Sequence, residues 1–145
     1  MRVEESVTIE APREKVWEWV ADPSRADKFM SGVRYRVIEG EPTTGLRARY
    51  ELRMKVRSAE VGGVVEVIEF DPPHEIAWTS ITGIDQRGRW MLRDEGGRRT
   101  KVTCRLSYQV PGGVMGLVAD RIGSPLVRRN VRRSLGALKR MLEVR

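Results

Sequence analysis

Between Leu46 and Arg57 the chain alternates between apolar and charged residues without a break. Leu46, Ala48, Tyr50, Leu52, Met54 and Val56 fall on one side, and Arg47, Arg49, Glu51, Arg53, Lys55 and Arg57 on the other. Successive side chains of a strand point to opposite faces, so this period of two specifies a β-strand with one face in a core and one in water. Such a strand belongs to an antiparallel sheet covered on one side. The partners it needs are present: Val3–Ile9, Val33–Ile38, Val61–Phe70, Glu75–Thr82, Arg87–Arg93 and Lys101–Val110 all read as strands. Asp71-Pro72-Pro73-His74, Thr82-Gly83 and Asp94-Glu95-Gly96-Gly97 supply turn chemistry between them, which makes a meander of hairpins the economical topology. A bulge is expected near Gly62-Gly63.

Two other stretches carry a helical period. After Ala11, Pro12 suits a first helical position, Glu14 suits the positive amino end, and Val16, Trp19 and Val20 share a face. Asp22-Pro23-Ser24 ends that helix, and a short helical turn over Ser24–Phe29 follows before Ser31-Gly32. Beyond Pro111-Gly112-Gly113 the period becomes about 3.6 nearly to the end. There Val127, Val131, Leu135, Leu138 and Leu142 form one apolar stripe, and Arg128, Arg129, Arg132, Arg133, Lys139 and Arg140 lie on the opposite arc. At Gly123-Ser124-Pro125 the helix either restarts from a Ser124 cap or continues with a kink. The whole reads as one α+β unit over residues 1–145.

Composition removes several function classes. A lone cysteine, Cys104, and a lone histidine, His74, leave no internal disulfide and no soft-ligand metal site, so neither metal nor cofactor is expected. No apolar run is long enough to span a bilayer, and the acidic, alternating amino end is unlike a signal peptide, so the cytoplasm is the expected location. Lys plus Arg number 27 against 20 Asp plus Glu, a net charge of +7. That excess permits docking to an acidic carrier protein or an anionic membrane surface, with nucleic acid the weaker option. The oligomeric state is not readable.

The order strand, helix, short helix, six strands, long helix resembles the START-like superfamily. Within it, the chain is most similar to the small bacterial polyketide cyclase/dehydrase (SRPBCC) branch. The opening Val7 to Trp17 (VTIEAPREKVW) with Val20, Asp22 and Pro23 carries the likeness. So do Gly45, the run Val67 to Pro73 leading to Trp78, Gly88 with Trp90, and Leu135 to Leu142. In the short second helix, where the family often has tryptophans, this chain has Asp27-Lys28-Phe29-Met30. The resemblance implies a helix-grip (START/birch-pollen-allergen-like) fold: a curved antiparallel sheet of about seven strands wrapped around a long C-terminal helix, with two short helices after strand 1. It also implies an internal cavity for a hydrophobic molecule.

The inward sets of the strands then supply the lining: Tyr35, Ala48, Tyr50, Leu52, Met54, Trp78, Trp90, Leu92, Leu106 and Tyr108, with Met115, Val118 and Ile122 from the last helix. Apolar and aromatic surface with a few hydroxyl or indole donors is the make-up of small-molecule sites. If the space is open, a tryptophan at Ala48 is absorbed with little loss of stability. His74 falls in a turn and reads as an exposed loop residue, and Cys104 as an inert buried thiol. Glu66 and Glu69 are read on opposite faces of one strand, so that one points inward. The leading reading is binding or transport of a lipid, polyketide or quinone-like molecule. The alternative is a polyketide aromatase/cyclase or dehydratase using Tyr35, Tyr50 or Glu66 for proton transfer. A third is a basic protein-interaction module without a ligand.

Overall fold

The computed structural model describes residues 2–38, 40–42, 44–56, 59–109 and 114–143, with the backbone alone described at 56, 59 and 114–124. Its strands are β1 (Arg2–Ile9), β2 (Val33–Val37), β3 (Arg49–Val56), β4 (Ala59–Asp71), β5 (Glu75–Ser80), β6 (Asp85–Gly96) and β7 (Arg99–Gln109). Helices α1 (Arg13–Val20) and α2 (Pro23–Ala26) follow β1, and α3 (Val114–Leu142) closes the chain. The strands form one antiparallel sheet in the order β1-β7-β6-β5-β4-β3-β2. From β2 to β7 each strand pairs with its successor, the expected meander. The long-range step is β1 on β7, from Arg2 opposite Ser107 to Ile9 opposite Thr100. This is the helix-grip architecture: a curled sheet, two short helices after strand 1 and a long C-terminal helix.

Backbone polar groups that the sheet does not satisfy are met locally. Pro12 is the N-cap of α1 rather than its first residue, with an extended backbone. Asp22 caps α2 by accepting from the Ser24 amide at 3.0 Å, with Pro23 next in line, so the run that ends α1 also starts α2. The buried Thr100 hydroxyl donates to the Ala11 carbonyl at 2.7 Å and ties the entry of α1 to β7.

The helix α3 runs unbroken through Pro125, so the break expected as one option at Gly123-Ser124-Pro125 does not occur. Its predicted stripe is the buried one: Val127, Val131, Leu135 and Leu138 lie in the core, and Leu142 packs at its margin. The basic arc is partly spent inside the fold. Glu5 sits on the same face of β1 as Val3, Val7 and Ile9, and Arg128 Nη1 and Arg132 Nε reach its Oε1 at 2.9 and 3.1 Å. Burial pushes the Glu5 carboxyl up, but the hydrogen bonds from Arg128 and Arg132 outweigh it and leave it below its ordinary value. Lys139 Nζ donates to the Thr8 carbonyl at 2.8 Å, a further tether to β1. Arg129, Arg133 and Arg140 remain exposed.

Three sequence readings change. The strand expected from Leu46 begins at Arg49, because Gly45 (φ 84°) and Arg47 (φ 68°) take left-handed conformations that turn the chain and leave Leu46 57% exposed. No register shift occurs at Gly62-Gly63, which pair in step with Arg53 and Leu52. The bulge lies instead at Ile68, between Val67 opposite Trp78 and Glu69 opposite Ala77. One extra residue there returns Glu69 to the face that Glu66 already occupies.

Candidate ligand-binding interior

Five strands and two short helices converge on one space beneath α1 and α2. Tyr35 enters from β2, Tyr50 from β3 and Val67 from β4, with Ala48 just ahead of β3; Ile76 and Trp78 enter from β5, and Trp90 from β6. Val20 and Ala26 form the roof, and Thr44 and Gly45 of the loop before β3 form the rim. Alternation along each strand delivers these side chains to the same face. Among the described residues, no ionisable group other than the two tyrosines lines this space.

The space is nearly filled. Its volume is about 10 Å³, room for a single water, and a second void of about 10 Å³ lies further along, between Met54, Leu106, Val127 and Val131. A drug-sized ligand needs about 300 Å³ or more. The cavity expected between the sheet and Met115–Leu142 is nearly filled at these two places; its stretch facing 115–124 lies outside the described residues. A hydrophobic guest enters only if the roof and rim move apart. The aromatic contacts show what now occupies the interior. Tyr35 and Tyr50 meet at a centroid distance of 5.3 Å, and Phe29 stands edge-on to Trp90 at 6.0 Å. Phe29 and Met30 are both buried, so the segment where the family often carries tryptophans is part of the plug.

Trp78 lies flat across β6 because its neighbour in the ladder is Gly88. A Cβ on Gly88 would stand 1.9 Å from the indole Cζ2. The glycine is a packing requirement of the aromatic wall.

Electrostatics restrict what the interior can do. Burial raises the Tyr50 hydroxyl far above its ordinary value. Burial, with Tyr50, Cys104 and Asp27 adding to it, does the same for Tyr35. The residue Tyr35 keeps some exposure at the sheet edge, but its hydroxyl is desolvated. Both stay protonated at neutral pH and act as hydrogen-bond donors, not as bases. Burial also pushes the Cys104 thiol up to about 12, which removes it as a nucleophile.

The remaining sequence candidates divide. Ala48, Tyr50, Leu52, Met54, Trp78, Trp90, Leu92, Leu106 and Tyr108 are all buried. Leu52, Leu92 and Tyr108 line neither void. Met115, Val118 and Ile122 lie on α3, but their side chains fall outside the described residues. Glu66 is a correction: it lies on the outer face, where its Oε1 accepts from Arg49 Nε at 3.2 Å. Glu69 is also outside, held by Arg89 at 2.6 Å. Neither carboxylate enters the interior. His74 is exposed, 3.6 Å from Asp71. Among the described residues no cluster of His, Cys, Asp or Glu could hold a metal, and no helix is long and apolar enough to cross a membrane. Val20, Ala26, Val67 and Ile76 were missed as lining, although the helical spacing and strand alternation carry the signal for each.

With this geometry established, known proteins were compared. A family model described as polyketide cyclase/dehydrase and lipid transport matches residues 1–143. The chain belongs to that family. Similar solved structures agree in fold. A Thermus thermophilus protein superposes with a TM-score of 0.82 at 23% identity, over 98% of this chain and 97% of the other. An aromatase/cyclase from Streptomyces sp. R1128 gives 0.77 at 21% identity, over 99% and 93%. The di-domain aromatase/cyclase BexL gives 0.71 at 19% identity, over all of this chain (100%) and 50% of its own length. At these identities the likeness is one of fold. Among curated proteins there was no match. Within the polyketide cyclase/dehydrase and lipid-transport family, the aromatic interior beneath α1 and α2 is this chain's candidate site.

Proposed function

We propose that this protein binds a small hydrophobic molecule in the sheet interior, entering between the α1–α2 roof and the Thr44-Gly45 rim. The observation that carries this is the convergence of Tyr35, Ala48, Tyr50, Trp78 and Trp90 on one uncharged space. Family membership supports the same reading, since its description joins cyclase/dehydrase chemistry with lipid transport. The filled space makes binding a two-state event: the closed form predominates, and a ligand captures or drives an opened one. Ligands of this kind are lipid, polyketide or quinone-like.

A second reading, cyclisation or dehydration of a polyketide, is favoured by the Tyr35–Tyr50 pair. Two neutral tyrosines with ring centroids 5.3 Å apart offer hydroxyl donors that can hydrogen-bond carbonyl oxygens and orient a flexible chain. They are not placed to remove a proton. Titration of the purified protein with polyketide-like and lipid molecules, followed by Trp78 and Trp90 fluorescence with turnover read by mass spectrometry, separates the two. Binding without turnover supports the carrier. Turnover that Tyr50→Phe abolishes while leaving binding intact would install the cyclase. Any docking to an acidic carrier protein or anionic membrane rests on Arg129, Arg133 and Arg140, the arginines of the α3 arc not engaged with β1, and weakens with salt.

A further inference from the structure

Gln86 is a buried polar residue on the inner face of the sheet that lines neither void but stands two residues from Gly88, against which the Trp78 indole packs. It belongs to the inward set of β6, with Gly88, Trp90 and Leu92, and only 3% of it is exposed. Its backbone amide donates to Ser80 Oγ at 3.2 Å, and across the ladder it faces Tyr108 on β7, which is 3% exposed. The carboxamide Nε2 is buried and makes no hydrogen bond among the described residues. A buried amide donor without a partner is destabilising, and a leucine or methionine would fill the same place without that cost. Glutamine here is a liability in the closed protein. It ceases to be one when an acceptor arrives.

We infer that Gln86 is a specificity-determining residue of the interior, whose side-chain N–H groups hydrogen-bond a carbonyl oxygen of the hydrophobic guest. This rests on the proposed binding function and narrows it. The ligand class is an apolar, ring-bearing molecule with a ketone, in preference to a hydrocarbon or a plain acyl chain. A site built to donate a hydrogen bond discriminates against an analogue lacking the acceptor, because the buried donor is then left unpaired. Apolar contact along the Trp78 indole, which reaches from the void beneath α1 and α2 to Gly88 beside Gln86, supplies affinity, and Gln86 supplies selection.

The matched probes are 9-fluorenone and fluorene, rigid tricycles of nearly one shape that differ by a carbonyl. Affinities are measured for the full-length protein and for Gln86→Met, which keeps the side-chain length and removes the amide; Gln86→Leu repeats the test if the methionine variant does not fold. Comparing the fluorenone-to-fluorene affinity ratio between proteins cancels the difference in hydration of the probes. The expected result is a ratio about fivefold or more lower in the variant, with fluorene binding unchanged or improved. The carbonyl stretch of bound fluorenone should lie at lower frequency in the native protein than in the variant. If both probes bind and the ratio is unchanged, the Gln86 assignment is wrong while the binding function stands. If the native protein binds neither, the hydrophobic-interior reading fails and takes the assignment with it.

Discussion

Replacing Ala48 with tryptophan tests how full the interior is. Ala48 is 1% exposed and borders the void of about 10 Å³ beneath α1 and α2, among Tyr35, Tyr50, Trp78 and Trp90. The indole adds about nine heavy atoms, several times what a void for one water can take, so neighbours must shift or the roof must lift. Overpacking of this kind costs about 1–3 kcal/mol, with the indole toward the upper end. For a chain of this size each kcal/mol moves Tm by about 4 °C, so a fall of roughly 8–12 °C is expected by differential scanning fluorimetry. The same variant should lose binding of an apolar fluorophore, because the indole takes the guest's place. Ala48→Val, a smaller increment, should fall between native and tryptophan in both readouts. An unchanged Tm in Ala48→Trp would refute the reasoning: it would mean that open space absorbs the side chain, as the sequence alone led one to expect.

Gly88→Ala should destabilise by about 1–3 kcal/mol in urea unfolding, since the new methyl group meets the Trp78 indole. An alanine that costs nothing would show that the indole does not lie over β6. Alkali should unfold the protein in part through Cys104: its folded value of about 12 exceeds its ordinary 9.0, so its contribution is complete below pH 9 and is lost as pH rises toward 12. Over three pH units that loss amounts to about 4 kcal/mol, and Cys104→Ala should flatten the alkaline limb; parallel profiles for the two proteins would contradict it. Glu5→Gln should cost about 1 kcal/mol at pH 7, because Arg128 and Arg132 are themselves partly exposed. The Glu5 value is lowered in the fold, so its contribution is present above the ordinary carboxylate range and is lost as pH falls through the lowered folded value, and native and variant should converge in acid.

Periodicity carried the fold because it reports which face a residue belongs to. The α3 stripe from Val127 to Leu138 and the inward set Ala48 to Met54 are buried as the spacing requires. It reports neither where a strand stops nor how deep a face lies. Leu46 continues the alternation on paper, yet left-handed backbone at Gly45 and Arg47 takes it out of the sheet. The run from Glu66 to Glu69 alternates equally well with or without a bulge. Only pairing with β5 shows that Ile68 is the extra residue and that both glutamates lie outside. Whether the inward side chains enclose a cavity or fill it depends on how Phe29, Trp90 and the tyrosines meet across the sheet, a long-range property. Gln86 escapes the sequence reading for a smaller reason: a strand read from Arg87 starts two positions after the observed Asp85 and leaves it out.

The central claim is that an apolar guest enters beneath α1 and α2. Methyl-resolved NMR of the native protein, titrated with fluorenone, tests it most directly. The account predicts shift changes concentrated at Val20, Ala26, Ala48 and Val67, with the exposed Ile68 and Ile81 unmoved. Changes confined to Ile68 and Ile81, with the roof and wall silent, would place the guest on the outer surface and contradict it.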